Sequence, residues 1–365
     1  VLNGDAATSA TSVAKETTRP RGKAAESSRL AAFTLLRGGP TLASYETYVQ
    51  SRRCLRAALP AMIEYDNIAF QEGNVPQDVQ SELHERVSRL IFVDVREHGG
   101  FSDEWRAQFP QQDDGREAYS LGYRQMCQFM SMFWFRALQG YEYAMRVDED
   151  VCITQLPSRE LFGALTADYA FGLETDESHL ETVETFNPWL SQYMAQNALE
   201  AEILPLPTNR IYFTNFFIAR TTWWYETEVR RFLDAVDAGG GIFRHRWGDA
   251  PIQTAALRLF AERSSVMHLS IDYVHISTGN LIMYGQEVPF SAKGILNAHF
   301  RHLAERVANA TNATNGSNTT NSICQGMGTC APVLPEFPPP MPPMLPPMPP
   351  LVPGPAGFTT VVNAD

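Results

Sequence analysis

Residues 141–153 read YEYAMRVDEDVCI. The left half alternates apolar and polar positions among aromatic and β-branched types, the pattern of a half-buried strand. It then runs into three acids, Asp148, Glu149 and Asp150. On an extended chain successive side chains alternate faces, so Asp148 and Asp150 are expected to point together and Glu149 away. Two carboxylates aimed at one point repel each other unless a cation separates them. Oxygen ligands of this kind suit a hard divalent ion, Mn²⁺ first and Mg²⁺ second, whose shell is completed by substrate phosphates. Acid-x-acid at a strand end is therefore a candidate seat for a metal on a nucleotide diphosphate. A run of three acids also describes a solvated turn, and the surrounding chain has to decide between the two.

Working outward, residues 119–136 form a strongly apolar helical stretch leading into that strand. Its Met and aromatic stripe reads as core, with Tyr123 and Arg124 as exceptions, because a charge amid an apolar run needs a partner. A nucleotide phosphate would serve, and so would a buried carboxylate. Upstream, Leu30–Leu36 reads as a buried strand, 41–64 as a helix, Asp66–Phe70 as a strand, 77–88 as a helix and Arg89–Val95 as a strand. Strand and helix alternating in this way imply an α/β fold built on a mainly parallel sheet with right-handed crossovers. Ligands of such sheets sit at the carboxyl ends of the strands. The loop Arg37-Gly38-Gly39 and the acids 148–150 both fall at such ends. There is no GxGxxG, so the geometry is that of a nucleotide sugar rather than a dinucleotide. Downstream, Ala167–Glu174 and Arg210–Ala219 read as strands, 178–202, Thr221–Val236 and 252–263 as helices, and Val266–His275 as an edge segment.

With 365 residues, 44% of them hydrophobic and 21 Phe, 13 Tyr and 6 Trp among them, the chain can bury a sizeable core. A formal charge of -12 argues against nucleic acid as the main partner, since phosphate binding needs basic surface. No apolar run approaches the roughly 20 residues needed to span a bilayer. The chain does not begin with Met, which leaves room for an N-terminal signal or membrane anchor ahead of it. Residues 1–29 read as a flexible stem, 30–300 as a single large domain, 301–331 as a linker and 332–365 as a Pro-rich, extended tail. The linker carries four consecutive N-glycosylation sequons, at Asn309, Asn312, Asn315 and Asn318, which fit passage through the secretory pathway. Of five cysteines, Cys324 and Cys330 are placed to pair locally. Cys127 and Cys152 either pair in an oxidising lumen or serve as small core residues.

Four stretches, in order, together resemble one family. They are Tyr123-Arg124-Gln125-Met126-Cys127-Gln128-Phe129, Arg146-Val147-Asp148-Glu149-Asp150-Val151, Thr214-Asn215-Phe216 and Arg246-Trp247-Gly248-Asp249-Ala250-Pro251. They are similar to the YRxMCRF, RVEPDV, SNFEI and ERWGDAP blocks of the fungal Golgi α-1,2-mannosyltransferases, and YDNIAFQEG from Tyr65 resembles that family's YDWVFLNDE strand. The resemblance covers roughly residues 30–280. It implies a GT-A-like fold in a type II membrane protein of the Golgi or secretory lumen. It also implies Mn²⁺, GDP-mannose as donor, a glycan or glycoprotein acceptor, and retention of configuration. By the same resemblance, Asp148 and Asp150 would hold the metal with His275, His268 being the weaker candidate. Tyr123, Arg124, Asp148 and Asn215 would lie at the donor, where the strand-end position of its loop also puts Arg37, and Asp249 at the acceptor or anomeric centre.

The chain departs from those blocks at two positions. Gln128 replaces an Arg, and Phe217 replaces the Glu proposed as nucleophile in SNFEI. A Phe cannot attack an anomeric carbon. Either transfer proceeds on the donor's front face, with the leaving phosphate taking the acceptor proton, or Asp249, Glu174 or another acid takes over. The alternatives that keep the fold are a different nucleotide sugar, or a catalytically silent relative that binds glycans.

Overall fold

The computed structural model describes residues 30–102, 120–201, 206–275, 280–283 and 285–287. The stem, the sequon linker, the Pro-rich tail and the Cys324/Cys330 pair expected from sequence all lie outside the described residues.

The main sheet has seven strands. In chain order they are β1 (Leu30–Leu35), β2 (Asp66–Gln71), β3 (Leu90–Asp94), β4 (Tyr143–Val147), β6 (Tyr169–Phe171), β9 (Phe216–Arg220) and β10 (Val266–His268), and across the sheet they run β10-β6-β9-β4-β1-β2-β3. Strands β3, β2, β1 and β4 are mutually parallel, as the strand–helix alternation predicts. Strand β9 lies antiparallel between β4 and β6, which makes the sheet mixed. The expected strand Arg210–Ala219 is in fact two: β8 (Arg210–Tyr212) pairs with β7 (Glu174–Asp176), and β9 enters the main sheet. The expected single edge segment Val266–His275 also divides, into β10 and β11 (Asp272–His275). Strand β11 belongs to a second, four-stranded sheet with β5 (Val151–Gln155), β12 (Asn280–Met283) and β13 (Gln286–Glu287).

Strand parity sorts the core into two layers. Ala31 and Phe33 of β1, Ala144 of β4, and Phe217 and Ala219 of β9 face one layer. Leu30, Ala32, Tyr143, Met145, Val147, Phe216 and Ile218 face the other. Both faces of these strands are buried, so they read as near-continuous apolar runs, as central strands of covered sheets do. The first layer is closed by helices α3 (Leu121–Met132), α5 (Thr227–Gly239) and α6 (Asp249–Phe260), with α4 (Leu180–Asn197) beside them. At its centre Trp134 stacks on Phe33 at 5.1 Å between ring centroids and meets Phe217 at 5.6 Å and Trp224 at 5.6 Å. The second layer receives helix α1 (Glu46–Ala58), while α2 (Gln77–Arg86) covers the β2–β3 side.

Of the two alternatives for Cys127 and Cys152 the pairing does not form, and Cys127 is a small core residue. Cys54 of α1 is bonded to Cys152 of β5, and Cys127 is a free, buried thiol on α3. Helix α1 docks on β5 and brings Cys54 against Cys152, whereas Cys127 faces the opposite core layer, so no disulfide can reach from it to β5. Burial pushes the Cys127 thiol up to about 12, which leaves it unreactive at neutral pH.

Candidate active site

Strand β4 ends at Val147 and β5 begins at Val151, so the chain leaves the main sheet for the second one across Asp148–Asp150. The backbone N–H of Val151 donates to the Asp148 carbonyl at 3.1 Å, closing a four-residue turn. The alternation expected of an extended chain therefore stops at Val147. All three carboxylates, that of Glu149 included, line a cleft of about 570 Å³ at the carboxyl ends of β1 and β4, within the usual volume range for a small-molecule site.

The three acids have separate partners. Arg146, the last polar residue on the inner face of β4, donates from Nε to Asp148 Oδ1 at 2.8 Å and from Nη1 to Asp249 Oδ2. Thr214 Oγ1 donates to that same Asp249 oxygen at 2.9 Å. Burial works to lower the Arg146 pKa, but Asp148 and Asp249 outweigh it and hold the group firmly charged. Burial likewise raises the Asp148 carboxyl, against the pull of Arg146. Glu149 faces the β1 loop, accepting from the Arg37 backbone N–H at 3.4 Å and pairing with Arg37 Nε at 3.2 Å. Burial pushes its carboxyl up to about 7.

Asp150 meets His275, with Oδ1 3.3 Å from Nε2. The register explains this: β11 pairs with β5 so that His275 lies opposite Val151, one residue past Asp150. Burial alone would lower the His275 pKa, but the hydrogen bond and charge of Asp150 prevail and raise it. Two adjacent ligands on an octahedral ion, each about 2.1 Å from it, stand about 3 Å apart. The Asp150–His275 pair therefore fits a divalent ion whose other positions go to phosphates and water. Asp148, gripped by Arg146, stands beside that pair rather than in it. Among the described residues no group of three or more His, Cys, Asp and Glu converges on one point.

Asn215 adds an independent sign of a ligand. It is buried and lines the cleft, its Oδ1 accepts from the Tyr273 hydroxyl at 3.0 Å, and its Nδ2 has no hydrogen-bond partner. A buried donor left unpaired is destabilising and calls for an acceptor, which a phosphate or sugar oxygen would supply. Tyr123 also lines the cleft, its hydroxyl accepting from Arg246 Nη2 at 2.8 Å while that guanidinium lies over its ring. Asp249 opens α6, where the helix dipole favours a negative charge.

Two residues expected at the site lie elsewhere. Arg124 turns away from the cleft and donates to the Phe243 carbonyl, because α3 presents Tyr123 to the cleft and Arg124 to the helix packing behind it. Glu174 is the counter-ion of Arg258, accepting from Nη2 at 2.9 Å, and also pairs with Arg210. Arg258 is fully buried, so removing the acid leaves a charge unpaired. Glu174→Ala is expected to lose about 2 kcal/mol in denaturant unfolding, less than a fully buried pair loses because Glu174 is 28% exposed. Donor binding should stay unchanged; loss of binding in a folded variant would return Glu174 to the site. His268 stacks on Phe171 and bonds to the Gly285 carbonyl, apart from the cleft.

Sequence reasoning missed Arg146, Glu149 as the partner of Arg37, and Ser51 and Arg52 on α1. The signal for Arg146 was a lone cation inside a buried strand two residues before an acid. Arg52 sits at the helical spacing of Tyr48, Leu55 and Leu59, on the apolar face, where a charge is out of place.

A profile of the glycolipid 2-alpha-mannosyltransferase family matches residues 103–281. The probable mannosyltransferase MNT3 of Candida albicans is 29% identical over 170 residues, covering 43% of this chain and 45% of the relative. Glycolipid 2-alpha-mannosyltransferase 1 of the same species is 30% identical over 178 residues, covering 44% and 41%. The chain thus spans less than half the length of these curated relatives. Among solved structures, core-mannan synthase A from Aspergillus fumigatus in its Mn/GDP form aligns with a TM-score of 0.57 at 20% identity, over 70% of this chain and 77% of the other. The mannosyltransferase Ktr4p from Saccharomyces cerevisiae in complex with GDP aligns with a TM-score of 0.57 at 17% identity, over 73% and 79%. At such identities the structures establish the fold, which is GT-A-like. The matched stretch, with the blocks it contains, is similar to the glycolipid 2-alpha-mannosyltransferase family and its fungal α-mannosyltransferase members.

Proposed function

We propose that the cleft binds GDP-mannose with a divalent cation, Mn²⁺ first, and transfers mannose with retention to a hydroxyl of a glycan or glycoprotein in the secretory pathway. The observation that carries this reading is the Asp150–His275 pair at 3.3 Å beside the unpaired donor of Asn215, all lining one cleft at the strand ends. A bound cation would neutralise charge building on the departing diphosphate. The chain's own residues do the rest. Asn215 Nδ2 offers a hydrogen bond to a donor oxygen, and Arg37 lines the same cleft with its side chain largely in solvent. Asp249 is held in place by Arg146 and Thr214 through one oxygen. Its other oxygen remains to orient an acceptor hydroxyl or to stabilise positive charge at the anomeric carbon. Phe217 lies in the core and lines no part of the cleft, which favours front-face transfer over a covalent intermediate at that position. The disulfide supports an oxidising compartment.

The test is a panel of nucleotide sugars with Mn²⁺ and mannose oligosaccharides. Transfer from GDP-mannose that stops on chelation and returns with Mn²⁺ is the expected result. Turnover with another donor alone would move the function to a different sugar, and absence of both turnover and Mn²⁺-dependent GDP binding would leave a glycan-binding relative.

A further inference from the structure

Helix α1 runs behind the acid turn, and three of its residues hold both sides of it. Ser51 Oγ donates to the Val151 carbonyl at 2.6 Å and lies 3.3 Å from the Asp148 carbonyl. Arg52 Nη2 donates to the Val147 carbonyl at 2.7 Å and to Ser51 Oγ at 3.1 Å. Cys54 is bonded to Cys152. Residues 147, 148, 151 and 152, which bracket Glu149 and Asp150, are thus all gripped by residues 51, 52 and 54. We infer that Ser51, Arg52 and the Cys54–Cys152 bond are positioning elements for Asp150: a clamp that sets the metal–diphosphate site from behind. This rests on the donor-site reading above.

Core packing accounts for only part of Arg52, whose guanidinium lies over the Tyr48 ring at 5.2 Å. Its side chain is buried on the apolar face of α1, and its Nε and Nη1 have no hydrogen-bond partner. A buried guanidinium so poorly satisfied is destabilising, and an aliphatic residue of similar volume would fill the same space without that penalty. What the guanidinium supplies instead is a donor to the last carbonyl before the acids and a positive charge beneath three mutually repelling carboxylates. Ser51 reinforces the same turn. Its hydroxyl reaches the Asp148 carbonyl, which also accepts the bond that closes the turn from the Val151 N–H. The disulfide completes the arrangement through register: Cys152 lies opposite Val274 on β11, one step from the His275–Val151 pairing. The clamp therefore fixes the turn that carries Asp150 and the start of β5, against which β11 presents His275. An octahedral ion demands that its ligands converge closely, and groups behind the ligands typically govern affinity by about 10- to 100-fold.

The test measures GDP binding by calorimetry with and without Mn²⁺, together with thermal unfolding. It compares wild type, Ser51→Ala, Arg52→Met, Arg52→Lys and the Cys54→Ala/Cys152→Ala pair. The expected result is that the Mn²⁺-dependent part of GDP affinity falls about 10-fold in Ser51→Ala and further in Arg52→Met, while metal-free GDP affinity stays level. Arg52→Lys should recover part of the loss, because an ammonium can still donate to the Val147 carbonyl. The clamp is overturned if metal-free and metal-dependent affinities fall together, or if folded Ser51→Ala binds as wild type does. Should Arg52→Met fail to fold, Ser51→Ala, which removes a single oxygen, decides the matter. Wild type without any Mn²⁺-dependent GDP binding would overturn the donor-site reading itself, and the clamp with it.

Discussion

Asp150→Ala should lower mannosyl transfer from GDP-mannose by about 10³-fold or more, with the fold intact. The variant leaves His275 as the sole protein ligand of the pair, and at about 1.4 kcal/mol per tenfold the loss corresponds to about 4 kcal/mol of charge stabilisation in the transition state. Stability should fall only a little, because the lost bond to His275 is offset by relief of the repulsion from Asp148 and Glu149. Initial rates at saturating Mn²⁺, paired with a thermal melt, separate the two effects. Asp148→Ala is the informative control. It strips Arg146 of one partner and should loosen the Arg146–Asp249 arrangement while sparing the Asp150–His275 pair. If Asp148→Ala abolished metal-dependent GDP binding and Asp150→Ala did not, the metal would have to be reassigned to Asp148.

Phe217→Glu, which restores the acid found in the resembling block, is expected to destabilise by about 4 kcal/mol or more and to rescue nothing. The Phe217 ring is fully buried, stacked on Tyr169 at 5.0 Å between centroids and packed against Phe33 and Trp134. A carboxylate there loses the aromatic contacts and must be desolvated as well. Its one cationic neighbour across the strands is Arg146, directly opposite in the β4–β9 register and already shared by Asp148 and Asp249. Denaturant unfolding checks the first half of the expectation, and transfer assays at low temperature the second. A stable Phe217→Glu variant with raised activity would show that the position still opens on the reaction and would sink the front-face reading.

Most of the donor half was legible in the sequence. The alternation of β1, α1, β2, α2 and β3 follows directly from apolar periodicity, and Asp148, Asp150, Asp249, Tyr123, Asn215, Arg37 and His275 all line the cleft. Long-range pairing was not legible. Nothing local in RIYFTNFFIA tells that Phe213–Asn215 breaks the strand, because its two halves find partners in different sheets, β8 on β7 and β9 between β4 and β6. The parity argument for the acids failed for a related reason: the turn closed by Val151 and Asp148 exists because β5 belongs to another sheet. Arg124 and Glu174 were misplaced because a charge in an apolar context announces only that it has a partner. For these two the partners are a carbonyl at Phe243 and the buried guanidinium of Arg258. The pairing of Cys54 with Cys152 depends on α1 docking against β5, a contact with no sequence signature.

That pairing gives the molecule an unusual covalent topology. Joining two residues 98 apart in sequence, the bond closes a ring that contains β2, β3 and β4 and leaves two open tails. A ring of about that size removes about 4.7 kcal/mol of unfolded-state freedom in the chain-entropy account. It also means that a single backbone cut anywhere inside the ring leaves one covalent molecule, whereas a cut after Cys152 releases a fragment. A protease digest run with and without reductant should therefore sort its cleavage sites into those two classes by inspection: nicks that appear only on reduction lie between Cys54 and Cys152, and nicks visible in both lanes lie in the tails.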